Sequence, residues 1–179
     1  MSLEIKEVKE NTELAENVRD LMEAVFPEDE IVSYQLLLDM SKKDGAYFQA
    51  FFDEGNFCGL AYWLTKDDLV YLFYLAVMPT AQSKGYGTQI LNSIKIQNPS
   101  KTIMLEAESV REQADNLDQR RRRHKFYERN KFKLQDFRVK EDNTIYDVLS
   151  FGNDVTAEQV CDVIGHFAPE MADNIKVMD

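Results

Sequence analysis

Along this chain, apolar residues recur either at helical spacing or in short strand-like runs, and the two patterns alternate in a mixed order. Thr12 can cap a helix whose apolar residues recur at helical spacing up to Pro27. The same spacing returns from Ile31 to Leu38, whereas shorter runs have the character of strands. Further helices are predicted before Pro99, around 117–130 and after Thr156. Strands are predicted at 3–8, 46–52, 57–64, 69–77, 103–108, 132–139 and 144–151. The order up to residue 151 is β-α-α-β-β-β-α-β-α-β-β, which indicates a mixed α/β protein.

The segment Leu69–Val77 is an unbroken run of nine apolar residues. It is too short to span a membrane, and its aromatic content is typical of a strand that is covered on both faces. We therefore expect it at the centre of the sheet. If the next crossover has the usual right-handed sense, the strand Ile103–Glu108 lies parallel to it.

The chain shows no internal repeat and no linker rich in Gly, Ser or Pro, so one domain over residues 1–179 is predicted. Thr156 and Gln159 match a capping box ahead of apolar residues at helical spacing. Residues 153–179 are therefore predicted to form a C-terminal helical extension that packs on the body of the domain.

The charge balance is acidic, with 32 Asp and Glu against 21 Lys and Arg and a formal net charge of −11. Such a surface repels a phosphate backbone or an anionic membrane, so neither is expected as a partner. No apolar stretch approaches the ~20 residues of a membrane-spanning helix, and the first residues lack a secretory signal, so we expect a cytoplasmic protein. Cys58 and Cys161 lack metal-ligand spacing, and no metal is expected.

A short polar loop containing Gly85 and Gly87 joins the central apolar strand to the helix that follows. A helix N-terminus leaves about four N–H groups unpaired, and glycine lets a phosphate approach the main chain. An ordinary tight turn also uses glycine, so the spacing of the residues has to distinguish a phosphate-binding loop from such a turn. The dinucleotide fingerprint would need glycine or alanine at Ile90, and the P-loop would need Gly-Lys rather than Lys84-Gly85. A different phosphate loop is required.

The run from Leu75 to Gly87 resembles motif A of the GNAT superfamily of N-acetyltransferases, whose loop has the pattern Q/R-x-x-G-x-G/A. Gln82, Gly85 and Gly87 match it, and His124–Phe132 resembles the family's Tyr-containing motif B. The order of elements is also like the family's. The resemblance implies a GNAT-like α/β (α+β) fold with a mixed, mostly antiparallel sheet, a central splayed pair of parallel strands, and flanking helices.

The resemblance further implies acetyl-CoA as co-substrate, bound where the parallel strands splay apart. The backbone of Leu75 and Val77 would pair with the pantetheine arm and the acetyl carbonyl, and the amides from Gln82 to Thr88 would cradle the pyrophosphate. The implied cofactor-binding residues are Leu75, Val77, Gln82, Lys84, Gly85, Tyr86, Gly87 and Thr88. A strand N–H left unpaired at the splay suits the oxyanion that forms when an amine attacks a thioester.

Tyr127 is the candidate general acid. In the family a tyrosine at this place in motif B lies near the CoA sulfur, and Phe126–Arg129 reproduces the local pattern. A phenol can supply the proton that a departing thiolate needs in a dry pocket. Without the motif, a tyrosine that holds its helix to the sheet would be the better explanation.

Two positions near Tyr127 depart from the family pattern. Lys131 stands where a glycine is usual, so the turn is expected to use Asn130 in the left-handed conformation. Arg120 stands where many members have an asparagine, and no role is transferred to a nearby residue.

A general base for the acceptor remains open. An amine like that of lysine is mostly protonated at neutral pH, so a base should help. Some members carry a glutamate on the central strand, where Tyr71 stands here. Glu106 and Glu108 alternate onto one face of the neighbouring strand and could act through water, although such carboxylates are more often solvated or paired.

Arg120–Arg123 is a basic cluster in an acidic chain. Four consecutive helical residues spread around most of the circumference, so they do not form one basic face. Asp118 precedes Arg121 and Arg122 at helical spacing, which favours a solvated face with ordinary pairing. Contact with the 3′-phosphate of CoA is a minor alternative.

These observations predict an N-acetyltransferase that moves an acetyl group from acetyl-CoA to a small-molecule or peptide amine. Two other hypotheses stay open: a non-catalytic acyl-CoA-binding or sensing module of the same fold and, with less support, a nucleic-acid-binding regulator. The acidic surface favours an uncharged or cationic acceptor. A monomer or a homodimer is expected.

Overall fold

The computed structural model describes residues 3–179, so the first two residues of the predicted domain lie outside it. The described chain forms eight strands and six α-helices, in the predicted order up to residue 151. The strands are β1 (Glu4–Glu7), β2 (Ala46–Asp53), β3 (Asn56–Lys66), β4 (Leu69–Val77), β5 (Thr102–Glu108), β6 (Lys133–Glu141), β7 (Thr144–Phe151) and β8 (Ile175–Met178). The helices are α1 (Glu13–Val25), α2 (Tyr34–Met40), α3 (Tyr86–Gln97), α4 (Leu117–Arg129), α5 (Ala157–Phe167) and α6 (Pro169–Ala172).

Main-chain packing divides the chain into two compact units, and each is described by itself. Of the described residues, the first comprises 3–64 with Phe73–Pro99, and the second comprises Thr65–Leu72 with Ser100–Asp179. β4 therefore begins in the second unit and ends in the first. One domain over the whole chain stays a prediction.

The first unit is built on antiparallel strands with an aromatic core. β1 pairs with β2, and β2 pairs with β3 across the predicted hairpin. Phe48 and Tyr62, which are opposite each other in that hairpin, meet edge to face with their ring centroids 5.0 Å apart. As predicted, Thr12 caps α1 by accepting the N–H of Ala15 at 3.1 Å. The helix then buries its apolar stripe, which consists of Ala15, Val18, Leu21 and Met22.

The second unit contains the parallel pair. Leu69–Tyr71 of β4 lies in register with Thr102–Met104 of β5, and β5 pairs antiparallel with β7 along its other edge. β6 pairs antiparallel with β7 and with β8. The complete sheet has the order β1-β2-β3-β4-β5-β7-β6-β8. The predicted fold class, mixed and mostly antiparallel with one parallel pair and flanking helices, is confirmed.

The C-terminal segment, predicted as a helical extension over 153–179, contains α5 and α6 and ends in a strand. α5 begins with the predicted capping box, since Thr156 Oγ1 accepts the Gln159 N–H at 3.2 Å and Gln159 Oε1 accepts the Thr156 N–H at 2.9 Å. After α6, the residues Ile175–Met178 form β8 and pair with Arg138–Glu141 of β6. Four residues with alternating character carry too little periodic signal to predict such a strand, which depends on its partner.

The end of α4 corrects a second prediction. Lys131, not Asn130, takes the left-handed conformation, with φ of 72° against −86° for Asn130. The Lys131 N–H donates to the Glu128 carbonyl at 2.9 Å, and the Phe132 N–H donates to the Tyr127 carbonyl at 3.1 Å. These two bonds define a Schellman motif with Lys131 at the residue beyond the cap, which is where the left-handed residue belongs.

Candidate functional site

The loop between β4 and α3, in the first unit, presents main-chain N–H groups. A 3₁₀ turn at Pro79–Ala81 leads into Ser83 and Gly85, whose φ angles of 62° and 84° are both in the left-handed region. The first bond of α3 runs from the Gln89 N–H to the Gly85 carbonyl at 3.1 Å. The preceding N–H groups, from Gly85 to Thr88, therefore have no acceptor four residues back in the helix. Together with the helix dipole, they favour an anion.

Gly85 caps α3 without any side-chain cap. A Cβ built on this glycine would meet nothing within 4 Å, so the space in front of the helix is open. The side chains of Gln82, Lys84 and Thr88 are exposed in the same segment. An approaching anion would meet main-chain N–H groups at its centre and exposed polar side chains around them.

Tyr86 has a different role from its loop neighbours. Its hydroxyl donates to Asp53 Oδ2 at 2.7 Å, and this bond, followed by partial burial, raises the pKa of Tyr86 to about 12. The side chain therefore anchors the first turn of α3 to the turn between β2 and β3. The contribution of Tyr86 to a ligand would be its main-chain N–H.

The last residues of β4 are held closely against β3. A Cβ added to Gly59 would lie 2.3 Å from the Ala76 carbonyl oxygen and 3.2 Å from Val77 Cα, which no side chain tolerates. The Met78 N–H donates to the Cys58 carbonyl at 2.8 Å. Leu75 and Val77 are half-buried, alternating with the buried Ala76. This packing fixes the end of β4 where the loop begins.

Tyr127 lies in the second unit, buried in α4. Its ring packs against Phe132 at 5.7 Å between centroids and against Phe126 at 5.1 Å. Burial raises the pKa of Tyr127 to about 12, and the nearby Arg123 opposes part of that shift. The phenol therefore keeps its proton throughout the neutral range, as a general acid must.

Glu108, one of the two carboxylates left open as a base, is engaged in ion pairs. Its side chain is 8% exposed, with Oε1 2.8 Å from Arg120 Nη2 and Oε2 3.2 Å from Arg123 Nη1. Arg120 also donates to Asn116 Oδ1 at 2.8 Å and to the Ser109 carbonyl at 3.2 Å. Both oxygens of this carboxylate are engaged by guanidinium groups of α4, so Glu108 holds that helix to β5.

The arginine cluster is thus divided between two environments. Arg120 and Arg123 point to Glu108, whereas Arg121 lies 3.5 Å from Asp118, as the helical spacing predicts. His124 also contacts β5, since its Nε2 lies 3.0 Å from the Glu108 carbonyl oxygen. Arg120, Arg123 and His124 therefore attach α4 to β5, whereas Arg121 and Arg122 are exposed.

Glu106, the other candidate base, lies in a different environment. The side chains of Glu141 on β6 and Tyr71 on β4 lie beside its carboxyl group. Burial, and then the charge of Glu141, raise the pKa of Glu106 well above its ordinary value. Sequence reasoning missed Glu141, because its proximity to Glu106 depends on the pairing of β5, β7 and β6 and no local motif records it.

Two absences concern the described residues only. None of the helices in residues 3–179 has the length and apolar character needed to cross a bilayer. Within the same residues, no group of three or more His, Cys, Asp and Glu is placed to hold a metal ion.

Comparison with known proteins relates this geometry to a family. Residues 43–134 match the model of the acetyltransferase (GNAT) domain. A search of curated protein sequences gives no significant match. Among solved structures, a protein from Bacteroides thetaiotaomicron described as a GNAT-family acetyltransferase has a TM-score of 0.75 at 20% identity, over 97% of this chain and 99% of the other.

Two characterised enzymes also share the fold. An aminoglycoside 6′-N-acetyltransferase crystallised with coenzyme A has a TM-score of 0.65 at 17% identity, over 83% of this chain and 96% of the other. The ribosomal-protein-S18-alanine N-acetyltransferase of Escherichia coli has a TM-score of 0.61 at 16% identity, over 87% and 97%. These identities show a common fold alone. The domain match, which covers more than half of the sequence, shows that this chain belongs to the GNAT acetyltransferase family.

Proposed function

We propose that this protein transfers an acetyl group from acetyl-CoA to the amine of a small molecule or peptide. Family membership supports acyl-CoA-dependent acetyl transfer in general. The observation that carries the proposal for this chain is the set of main-chain N–H groups at 85–88, which precede the first bond of α3 and lie beside the open Cβ position of Gly85. One structural neighbour was crystallised with coenzyme A, which agrees with that use of the fold.

The loop would bind the pyrophosphate of acetyl-CoA. Amides from Gln82 to Thr88 would donate to the phosphate oxygens, and the positive end of the α3 dipole adds to the attraction. Lys84 is the exposed cation within this segment and would add a contact to phosphate. Tyr86 would contribute its N–H while its hydroxyl stays on Asp53.

The end of β4 would orient the thioester. Backbone groups of Leu75 and Val77 would pair with the pantetheine arm, which resembles a short peptide in its amide spacing. A main-chain N–H aimed at the acetyl carbonyl would stabilise the oxyanion that forms as the amine attacks. The close packing of Gly59 on Ala76 keeps that strand end from shifting during the reaction.

Tyr127 would then protonate the departing CoA thiolate. Its raised pKa makes it a weak acid in isolation, but the burial that disfavours the phenolate disfavours a thiolate in the same surroundings as well. The amine nitrogen loses a proton as the amide forms, so the phenol can be reprotonated through water and the balance of protons closes.

Partners, location and assembly follow as expectations from the same proposal. The acceptor is an amine-bearing small molecule or peptide, and neither nucleic acid nor membrane is required. A monomer or homodimer acting in the cytoplasm is consistent with the acidic composition.

The proposal is tested by the substitution Tyr127→Phe, assayed with an amine panel by following CoA release. The ring and its packing stay, so we expect unchanged folding and acetyl-CoA affinity but a fall in turnover of roughly 10²-fold, as is usual when a general acid is removed. Tyr146→Phe is a matched control, because it removes a phenol from β7 of the same unit.

Two results would contradict the proposal at different points. Full turnover by Tyr127→Phe with the best acceptor would leave Tyr127 as a packing residue and the chemistry to proximity alone. Tight acetyl-CoA binding without transfer to any amine would favour the non-catalytic binding module over the enzyme.

A further inference from the structure

One residue joins the end of β5 to two turns of α4. Glu108 Oε1 lies 2.8 Å from Arg120 Nη2, and Glu108 Oε2 lies 3.2 Å from Arg123 Nη1. The main-chain carbonyl oxygen of Glu108 lies 3.0 Å from His124 Nε2. Because these partners are spread over residues 120–124, the last residue of the strand limits both the distance of α4 from β5 and the rotation of the helix.

Tyr127 lies on the face of α4 that makes these contacts. It follows His124 by three residues and Arg123 by four, and residues at these two spacings are neighbours on one face of a helix. His124 and Tyr127 are both buried. The contacts of Glu108 therefore influence where the phenol of Tyr127 is held.

The turn after α4 holds Tyr127 from the other side. The main-chain carbonyl of Tyr127 accepts the Phe132 N–H at 3.1 Å, and the two rings pack with 5.7 Å between their centroids. These contacts fix the C-terminal end of the helix, whereas those of Glu108 fix the preceding turns. Loss of the contacts of Glu108 would therefore redirect the phenol without releasing the end of the helix.

Charge connects the same residues. Burial raises the pKa of Tyr127 to about 12, and the positive charge of Arg123 opposes part of that rise. A cation favours the phenolate, and a carboxylate that is paired with the cation weakens this effect. Glu108 therefore offsets the charge of Arg123 beside the phenol. On β7, Tyr146 lies opposite Glu108, so this position of β7 presents no second cation to the carboxylate.

A second buried carboxylate near α4 has partners of its own. Asp147 of β7 is fully buried, with Oδ1 3.0 Å from Arg111 Nε and Oδ2 3.8 Å from His124 Nε2. Among the side chains that the structure describes, Glu108 alone forms an ion pair with Arg123. The charge next to Tyr127 is therefore balanced by a single residue.

We propose that Glu108 is a positioning residue for Tyr127, which sets the place of the phenol through Arg120 and Arg123 and offsets the charge beside it. This inference rests on the proposed function, in which the phenol gives its proton to the departing thiolate. Without the carboxylate, α4 would be free to rotate and the guanidinium of Arg123 free to turn toward the phenol. A general acid works only within hydrogen-bond reach of its target, so transfer should depend on Glu108 although it touches no reacting atom.

The ionisation of the phenol provides the test. The phenolate signal of Tyr127 is measured near pH 11 as the difference in ultraviolet absorbance between each protein and its own Tyr127→Phe version. In Glu108→Gln the signal should rise roughly fivefold, because the charge of Arg123 is no longer offset. In Arg123→Met it should fall several-fold, because the cation itself is gone. A role in packing alone predicts no such opposite response.

The matched control is Glu112→Gln. It makes the same change in net charge but acts on an ion pair with Arg138, 2.8 Å away and outside α4, so the phenolate signal should stay as in the unmodified protein. Circular dichroism at the same pH checks the fold. An unchanged signal in a folded Glu108→Gln protein would overturn the proposal. If Glu108→Gln does not fold, Arg123→Met decides, and a signal equal to that of the unmodified protein would overturn the proposal in the same way.

Kinetics separate this inference from the proposed function. In Glu108→Gln, kcat should fall roughly tenfold with KM for acetyl-CoA unchanged, because the acid is misplaced while the cofactor loop is not. In a Tyr127→Phe background the same substitution should cause no further fall, since the two residues act as one unit. Normal kcat in Glu108→Gln, with turnover still lost in Tyr127→Phe, would overturn this inference and leave the proposed function intact. Full turnover in Tyr127→Phe would overturn both the general acid and its positioning residue.

Discussion

Single residues in this chain show how strain and contact decide local structure. Lys131 adopts a positive φ of 72° at the end of α4, although it has a full side chain. A non-glycine residue pays roughly 1–2 kcal/mol in this conformation because its Cβ approaches the carbonyl oxygen. The Schellman bonds from Lys131 and Phe132 outweigh that strain. The motif and the packing of Phe132 therefore set the turn, rather than the preference of residue 131.

Replacing Lys131 with glycine should relieve this strain. We expect Lys131→Gly to raise the free energy of unfolding by about 0.5–1 kcal/mol. The relief of strain stabilises the folded protein, and the greater freedom of glycine in the unfolded chain offsets part of that gain. Urea denaturation measures the change. Lys125→Gly is the matched control, because the same replacement in the exposed interior of α4 should lower stability by about 1 kcal/mol. Equal effects of both substitutions would show that the left-handed turn carries no strain.

Residues also mark the limit of sequence-based reasoning about the site. Gly85 and Tyr127 could be singled out as candidate site residues because each belongs to a short motif next to a recognisable element. The relation of Glu106 to Glu141 could not, because it requires the order of three strands. The ion pairs of Glu108 with Arg120 and Arg123 could not be predicted either, because the sequence shows the charged residues but not which of them meet.

At the scale of elements, the proposed cofactor site depends on the junction of β4 and α3. Gly85 needs a positive φ and has open space around its Cβ position, so a larger residue would strain the backbone without a clash. The strain would redirect the N–H groups that follow it. The anion site therefore depends on the conformation of the loop more than on its side chains.

Gly85→Val should weaken acetyl-CoA binding at least tenfold in a protein that still folds. Isothermal titration calorimetry measures the affinity, and circular dichroism checks the fold. Gly55→Val is the matched control, since Gly55 also has a positive φ of 79° and open space around its Cβ position. It should lose similar stability and keep its affinity. Unchanged acetyl-CoA affinity in a folded Gly85→Val protein would remove the loop from the site.

Most elements could be predicted because their periodicity is strong and their ends carry clear signals. Thr12 and Thr156 cap their helices as expected, and the nine residues of Leu69–Val77 form one strand. β8 and α6 could not be predicted, since four residues hold about one period of either pattern. Their structure depends on the partners against which they pack.

At the scale of the molecule, the dominant property is the net charge of −11. Two of the arginines in the basic cluster are turned toward Glu108, so they do little to offset the acidic surface. A negative field raises the local concentration of cations and lowers that of anions. It therefore favours the ammonium form of an acceptor before any specific contact is made.

The dependence on salt tests this long-range contribution. With a cationic amine as acceptor, kcat/KM should fall several-fold as ionic strength rises from 0.01 to 0.3 M, because the Debye length shrinks from about 30 Å to below 8 Å. An aromatic amine of similar size, which is uncharged at neutral pH, should show little change. A polyanionic best acceptor, or turnover that rises with salt for the cationic amine, would contradict the expectation.

The contact of Gly59 with the Ala76 carbonyl has a consequence for sequence variation. No residue other than glycine fits at position 59 unless the end of β4 moves. A library of random variants should therefore return glycine alone at this position, even where selection acts on abundance and not on catalysis. Substitutions at position 59 would therefore impair both folding and cofactor binding, because the end of β4 that has to move leads directly into the proposed cofactor loop.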